Sequence, residues 1–289
     1  MNLFGTNRKM TTVRPIKATH IGDILHLIET AWRIYLRLSP AELRTRLTDL
    51  RGFFAEDRVG MRGFMIIEPY QPNTALIVAA GLRDTWSVQP YLDVLLPEIE
   101  RAAIEIQATA IMHVGSFSWL IEGLRQRGFE TQDWIVIYER VGETPPPEPE
   151  QTPAHIRTAH TRDLEALTQL DNRTFDYIWH MSTRHLREAL ANAVSFAVAV
   201  VDNAIVGYAW SDMYNQHAHL TRLAVHPDFQ GQGIGRQLVH RALVDALAAG
   251  ANLMTLNTPE HNQRSQALYQ RFGFVTTGER LPVLKKELT

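Results

Sequence analysis

The sequence predicts an α/β protein made of two tandem copies of one fold, each a mixed, mostly antiparallel sheet flanked by helices. Three observations predict it. A chain of 289 residues is long enough for two cores at about 150 residues per domain. Near the midpoint, Val141 to Pro153 carries four prolines in five positions (Pro145, Pro146, Pro147 and Pro149) among glutamates, which blocks helix and ladder bonding and keeps the segment solvated. The two sides of that break echo each other. Val13-Arg14 matches Ile156-Arg157, and the helix end Leu124 to Phe129 resembles Leu268 to Phe274 at nearly the same offset. The boundaries read as a first domain over 1–143, a linker over 144–153 and a second domain over 154–289.

Element by element, the first half shows helical spacing near His20 to Leu36 and Pro40 to Arg51, then apolar strands at Phe64 to Ile67 and Ala75 to Leu82. A helix from Tyr91 to Gln107, a strand near Ala110 to Val114, a helix from Ser116 to Gln126 and a strand from Trp134 to Glu139 complete it. The second half repeats the order. Helices at Arg162 to Leu170 and Thr183 to Ala191 precede the run Phe196 to Val201, which the turn pair Asp202-Asn203 joins to Ala204 to Ser211 as a hairpin. A third strand, His219 to Val225, enters a glycine-rich loop. The helix that follows carries Leu238, Val239, Ala242, Leu243, Ala246 and Leu247 on one face, with Gly250 as its left-handed stop. A strand at Leu253 to Leu256, a short helix at Gln263 to Arg271 and a last strand from Phe274 close the chain.

Composition excludes several classes. Hydrophobic residues make up 45% and charged residues 21%, as in ordinary folded proteins. The formal net charge is −2, and no basic patch stands out, so no nucleic-acid partner is expected. The absence of cysteine removes disulfides, thiolate metal clusters and cysteine nucleophiles. The start, Met1 to Thr12, is polar, and no stretch approaches 18 consecutive apolar residues, so a cytoplasmic protein with no membrane partner is expected, as monomer or homodimer.

The chemistry concentrates in Gln230-Gly231-Gln232-Gly233-Ile234-Gly235, between a strand and a helix. Glycines there let backbone N–H groups point at an anion, and the helix start adds its positive dipole end, so a phosphorylated cofactor is expected. Arg236 stands where a dinucleotide fingerprint needs glycine, and Arg236-Gln237 stands where a Walker loop needs Gly-Lys.

The segments His219 to Gly235 and Asn262 to Phe274 resemble the two cofactor-binding motifs of the GCN5-related N-acetyltransferases, the GNAT family. The likeness covers residues 156 to 289. The first half resembles the same fold weakly, an arrangement like that of mycothiol synthase. The resemblance implies acetyl-CoA as acyl donor and a small-molecule primary amine as acceptor, joined by direct attack. It implies that Leu223, Ala224 and Val225 pair with the pantetheine arm, that the Val225 N–H polarises the thioester carbonyl, and that the Gln230 to Gly235 loop with Arg236 holds the pyrophosphate. Asn257, Asn262 and Ser265 complete the cofactor set, and Tyr269 gives its proton to the departing thiolate. Where many members carry a glutamate base, this chain has His219, whose near-neutral imidazole suits proton removal from an ammonium through water.

His217 and His219 share a strand face, but no third ligand accompanies them, so no metal is expected. Asp171, Phe175, Asp176, Tyr177 and Trp179, with Asp212 and Tyr214, form an aromatic and acidic group suited to a cationic, partly apolar amine. The first half has Arg83 to Pro90 without glycine where the loop should be, and Leu124 in place of Tyr269, so it is expected to be a degenerate copy. A non-catalytic acyl-CoA sensor and a protein or peptide N-acetyltransferase remain alternatives.

Overall fold

The computed structural model describes residues 11–70, 73–150, 152–175 and 179–288, so Asp176 and Tyr177 lie outside the described residues. The chain forms two compact units, Met1–Gln132 with Pro282–Thr289, and Asp133–Leu281.

In the first unit, β1 (Thr12–Pro15), β3 (Arg51–Asp57), β4 (Gly60–Tyr70), β5 (Thr74–Leu82) and β6 (Ala110–Val114) lie side by side, and the end of β13 (Val275–Glu287) completes the order beyond β6. Only the β5–β6 pair is parallel. The helices are α1 (Ile21–Thr30), α2 (Pro40–Arg46), α3 (Val88–Glu105) and α4 (Ser118–Arg125). Every residue of β5 is buried, as a central strand covered on both faces requires. Its core is built on Met65, Ile67, Ile77, Leu95 and Ile99.

Two helix expectations end early here. Helical spacing runs to Leu36, yet α1 stops at Thr30 and Arg33–Leu36 becomes strand β2, paired antiparallel with β5. The β-forming run Ile34-Tyr35-Leu36 takes the open edge of β5, a tertiary gain that overrides the local period. Likewise α2 ends at Arg46, and Arg51 starts β3. Strands β1 and β8 (His155–Thr158) were not anticipated.

In the second unit the order is β13, β7 (Glu130–Val141), β12 (Leu253–Pro259), β11 (His217–Val225), β10 (Ala204–Tyr214), β9 (Ser195–Val201) and β8 (His155–Thr158). The β11–β12 pair is parallel. Helices α5 (Leu164–Thr174) and α6 (Thr183–Asn192) pack Leu167, Leu170 and Leu186 against Val198, Tyr208 and Trp210. Helices α7 (Ile234–Ala248) and α8 (Gln263–Arg271) share a second cluster with Leu220, Leu256 and Phe274.

The division between units falls at Gln132/Asp133 rather than in the Pro-rich segment. The cause is β7, which the sequence assigns to the first domain: from Ile135 to Val141 it pairs antiparallel with Pro259 to Leu253. In return, Val283 to Glu287 pair with Val114 to Ala110. The Pro-rich segment lies inside the second unit, where Thr152 Oγ1 donates to Gln237 Oε1 of α7 at 2.6 Å.

Candidate active site

The second unit contains a fork in its sheet. β11 and β12 pair in parallel from His217 to Leu220 and then part, β11 continuing on β10 to Val225 and β12 continuing on β7 to Pro259. Trp210 faces Arg222 and Ser211 faces Leu220, which leaves Thr221 as a bulge at the parting point. Beyond it, the β12-side edge of β11 has no strand partner among the described residues, so its backbone is available to an extended ligand. The fork opens a cleft of about 650 Å3.

At one end of the cleft the chain turns through Pro227–Phe229 into α7. Gly231 and Gly233 have φ of +85° and +86°, and a Cβ on Gly233 would lie 2.9 Å from Thr152 Cγ2, so both positions favour glycine. Gly233 caps α7 without a side chain, leaving first-turn N–H groups and the positive dipole end directed outward. Gln230 ties this loop to the strand. Its Nε2 donates to Val225 O at 3.0 Å, and its Oε1 accepts from Arg264 at 2.6 Å. Arg222, Arg236, Arg264 and Arg271 and the imidazole of His261 line the cleft, and no carboxylate lines it among the described residues. A bare strand edge, a glycine cradle and a lining with arginines and no carboxylate among the described residues fit a pantetheine arm followed by phosphates.

Most of the expected cofactor residues meet here: Leu223, Val225, Gln230, Gly231, Gly233, Gly235, Arg236, Asn257, Asn262 and Ser265 all line the cleft. Ala224, Gln232 and Ile234 do not. Ala224 is buried toward α5, Ile234 is buried in the core, and Gln232 Nε2 donates to Asp228 O. Asn262 caps α8, its Oδ1 accepting from Ser265 N at 3.1 Å.

One turn further along α8, Tyr269 lines the cleft at 6% exposure, edge-on to Phe274. Burial pushes its phenol up to about 12, with a bond from Ser265 opposing, so it stays protonated through the neutral range. His219 does not line the cleft; it stands on β11 within the stretch paired to β12, one residue before that pairing ends. Its Nδ1 is 2.8 Å from Thr255 Oγ1, and Asn257 Nδ2 approaches its Nε2 at 3.4 Å. Because the amide nitrogen donates, Nε2 holds the lone pair and Nδ1 the proton. Burial lowers the imidazole below its ordinary value, and Asp212, directly opposite on β10, pulls partly back.

The acceptor-side group is only partly assembled. Thr174, Phe175 and Trp179 line the cleft, whereas Asp171, fully buried, does not. Its Oδ2 takes Arg222 Nε at 2.9 Å, Arg222 Nη2 at 2.7 Å and the Tyr208 hydroxyl, and its Oδ1 takes Met181 N at 2.7 Å. A carboxylate so occupied is a structural partner, and Asp171 is withdrawn as a direct substrate ligand. Tyr214, 81% exposed at the hairpin end, and Asp212, bonded to Thr221 Oγ1 and Trp210 Nε1, also lie outside the cleft.

Arg222 is the residue that sequence reasoning missed. Its guanidinium stacks 3.5 Å from the Phe175 ring centroid and donates to Trp179 O, fastening both aromatics over β11. The signal was present, since a charged residue within the apolar strand Leu223-Ala224-Val225 and its preceding residues must pair if buried.

The first unit begins the same fork and closes it. β5 and β6 pair in parallel from Thr74 to Leu76 only. Beyond that point β2 lies on the free edge, Leu36 to Arg33 facing Ala79 to Leu82. Tyr35 reaches across, its hydroxyl donating within 3.2 Å of Ile77 O on β5 and 3.0 Å of Val114 O on β6.

Comparison with known proteins agrees with the geometry. Residues 164–274 match the family model described as Acetyltransferase (GNAT) family. The L-amino acid N-acyltransferase MnaT of Escherichia coli K12 is 30% identical over 139 residues, 43% of this chain and 81% of that protein. The chain belongs to the GNAT acetyltransferase family. Another relative, the peptidyl-lysine N-acetyltransferase YjaB of Salmonella typhimurium, is 34% identical over 132 residues, 43% of this chain and 85% of that protein. A tandem GNAT protein from the clavulanic acid biosynthesis pathway shares the fold over 97% of this chain and 99% of its own, at 15% identity and a TM-score of 0.71. The chain is therefore an acyltransferase of a family that uses acetyl-CoA as a rule. Among the described residues, no helix is long and apolar enough to cross a membrane.

Proposed function

We propose that the second unit transfers the acetyl group of acetyl-CoA to a primary amine of a small molecule by direct attack, and that the first unit is a degenerate copy. The observation that carries this reading is the fork, with a basic glycine loop at one end, Tyr269 in its lining and His219 on β11 just before the strands part. Acetyl-CoA supplies the activated acyl group. The open edge of β11 receives the pantetheine arm, and the Val225 N–H polarises the carbonyl that the amine attacks. His219, neutral and with Nε2 toward Asn257, takes a proton from the ammonium through water. Tyr269, protonated throughout the neutral range, donates its O–H to the departing sulfur as charge develops there; a thiolate of pKa near 8.5 is a weaker base than this phenolate, so the proton moves only in step with C–S cleavage. The MnaT and YjaB relatives act on amino acids and on peptidyl lysine, both primary amines.

Two measurements test the reading. Calorimetry with acetyl-CoA should give one site per chain. Because the chain has no cysteine, a thiol reagent reports only released CoA, and an amine that accelerates its release establishes transfer. Binding without turnover by any amine would make the protein a sensor, and no binding at millimolar acetyl-CoA would overturn the family function for this chain.

A further inference from the structure

Arg222 stands on β11, the strand that ends at Val225, and its buried guanidinium gathers groups from outside that strand. Its Nε and Nη2 donate to Asp171 Oδ2 on α5 at 2.9 and 2.7 Å, Nη2 also donates to Trp179 O, and the guanidinium carbon lies 3.5 Å from the Phe175 ring centroid. Asp171 is held in turn by the Tyr208 hydroxyl on β10 and, through Oδ1, by Met181 N at 2.7 Å. One buried ion pair thus fastens Phe175, Trp179 and Met181 to β11.

This chemistry exceeds what packing requires. Tyr208, Ala224 and Leu170, neighbours of the pair in sequence or by contact, belong to an apolar cluster, and an apolar pair of the same volume would avoid the desolvation cost of two buried charges. What arginine adds is a rigid planar donor set that engages a carboxylate, a carbonyl and an aromatic face together. The two aromatics it holds are half-buried and line the cleft beside Thr174. Because Asp171 neutralises Arg222, the wall made by Phe175 and Trp179 offers aromatic surface rather than charge.

We infer that Arg222 and Asp171 are positioning residues for acceptor selection: they set Phe175 and Trp179 as a wall that receives the carbon skeleton of the acceptor, so that the preferred substrate is a primary amine bearing a bulky apolar group. This rests on the acetyl-transfer reading above and names the acceptor class for the same site.

The test compares ethylamine, isobutylamine and benzylamine in the thiol-release assay. In the wild-type protein KM should fall along that series, by on the order of tenfold or more from first to last, as apolar area is buried on the wall. Trp179→Ala should abolish most of this ratio, with the acetyl-CoA Kd near wild type as the report of an intact fold. Arg222→Lys keeps the charge but loses the planar donor set, and it should lower the ratio in the same direction. The double variant should lose no more than Trp179→Ala alone, because the two residues act as one unit. Should Arg222→Lys fail to fold, Asp171→Asn combined with Trp179→Ala makes the same comparison. Equal KM values for the three amines in the wild type, an unchanged ratio in folded Arg222→Lys or Trp179→Ala, or additive losses in the double variant overturns the inference and leaves acetyl transfer standing. No thiol release with any amine while acetyl-CoA binds overturns both.

Discussion

Each unit of this protein starts the same fork between two parallel strands, and the two units finish it differently. In the second, β11 leaves β12 after Leu220 and its edge stays bare among the described residues. In the first, β5 leaves β6 after Leu76 and its edge is taken by β2, four residues of the chain's own backbone running antiparallel. Tyr35 then bonds carbonyls on both arms of the parting strands. The same sheet geometry either stays open or satisfies itself, and the difference lies in whether a neighbouring segment has strand propensity and a side chain that fits the fork. In the degenerate copy that we propose, the loss of cofactor chemistry is therefore physical occlusion as well as a missing glycine loop.

The largest expected effect falls on the open fork. Tyr269→Phe should lower kcat by roughly 10²- to 10⁴-fold, the range for a lost general acid, with the acetyl-CoA Kd nearly unchanged by calorimetry. An unaltered rate would remove the phenol from the mechanism. Next, Gly233→Trp combines a Cβ clash with a backbone at φ +86° and should weaken acetyl-CoA binding by about 100-fold or more, leaving no second site. Residual tight binding would mean that the first unit also holds the donor, and the contrast between the units would collapse.

A smaller effect tests the closed fork. Tyr35→Phe leaves Ile77 O and Val114 O without their phenol donor and should cost about 1–3 kcal/mol in thermal unfolding, with the acetyl-CoA Kd unmoved. A variant as stable as wild type would show that the phenol does not hold β2 in place. The smallest effect is a pH shift. His219 works as a base only when neutral, so kcat/KM should fall as pH drops through its lowered pKa. Asp212 raises that pKa, and Asp212→Asn should move the acid limb to lower pH. A limb that stays in place would indicate that another group is the base.

Much of the site was legible because it is local. The glycines of the loop, Asn262 as a helix cap, and Tyr269 one turn beyond Ser265 are fixed by short-range geometry, and the structure brings them to one cleft. The acceptor side was less legible because burial and pairing there depend on distant segments. Asp171 reads as an available acid until Arg222, Tyr208 and Met181 N converge on it. Tyr214 reads as a pocket aromatic until the hairpin places it in solvent.

By itself, the sequence determined two α/β copies, the glycine loop with its helix, and the residue types needed for acyl transfer, because periodicity, left-handed backbone sites and caps are encoded within a few residues. Only the tertiary structure decided that β2 closes the first fork, that β7 and the end of β13 change units, and that Arg222 pairs with Asp171. Strand pairing is chosen by competition among edges far apart in the chain, and a local pattern specifies a strand without specifying its partner.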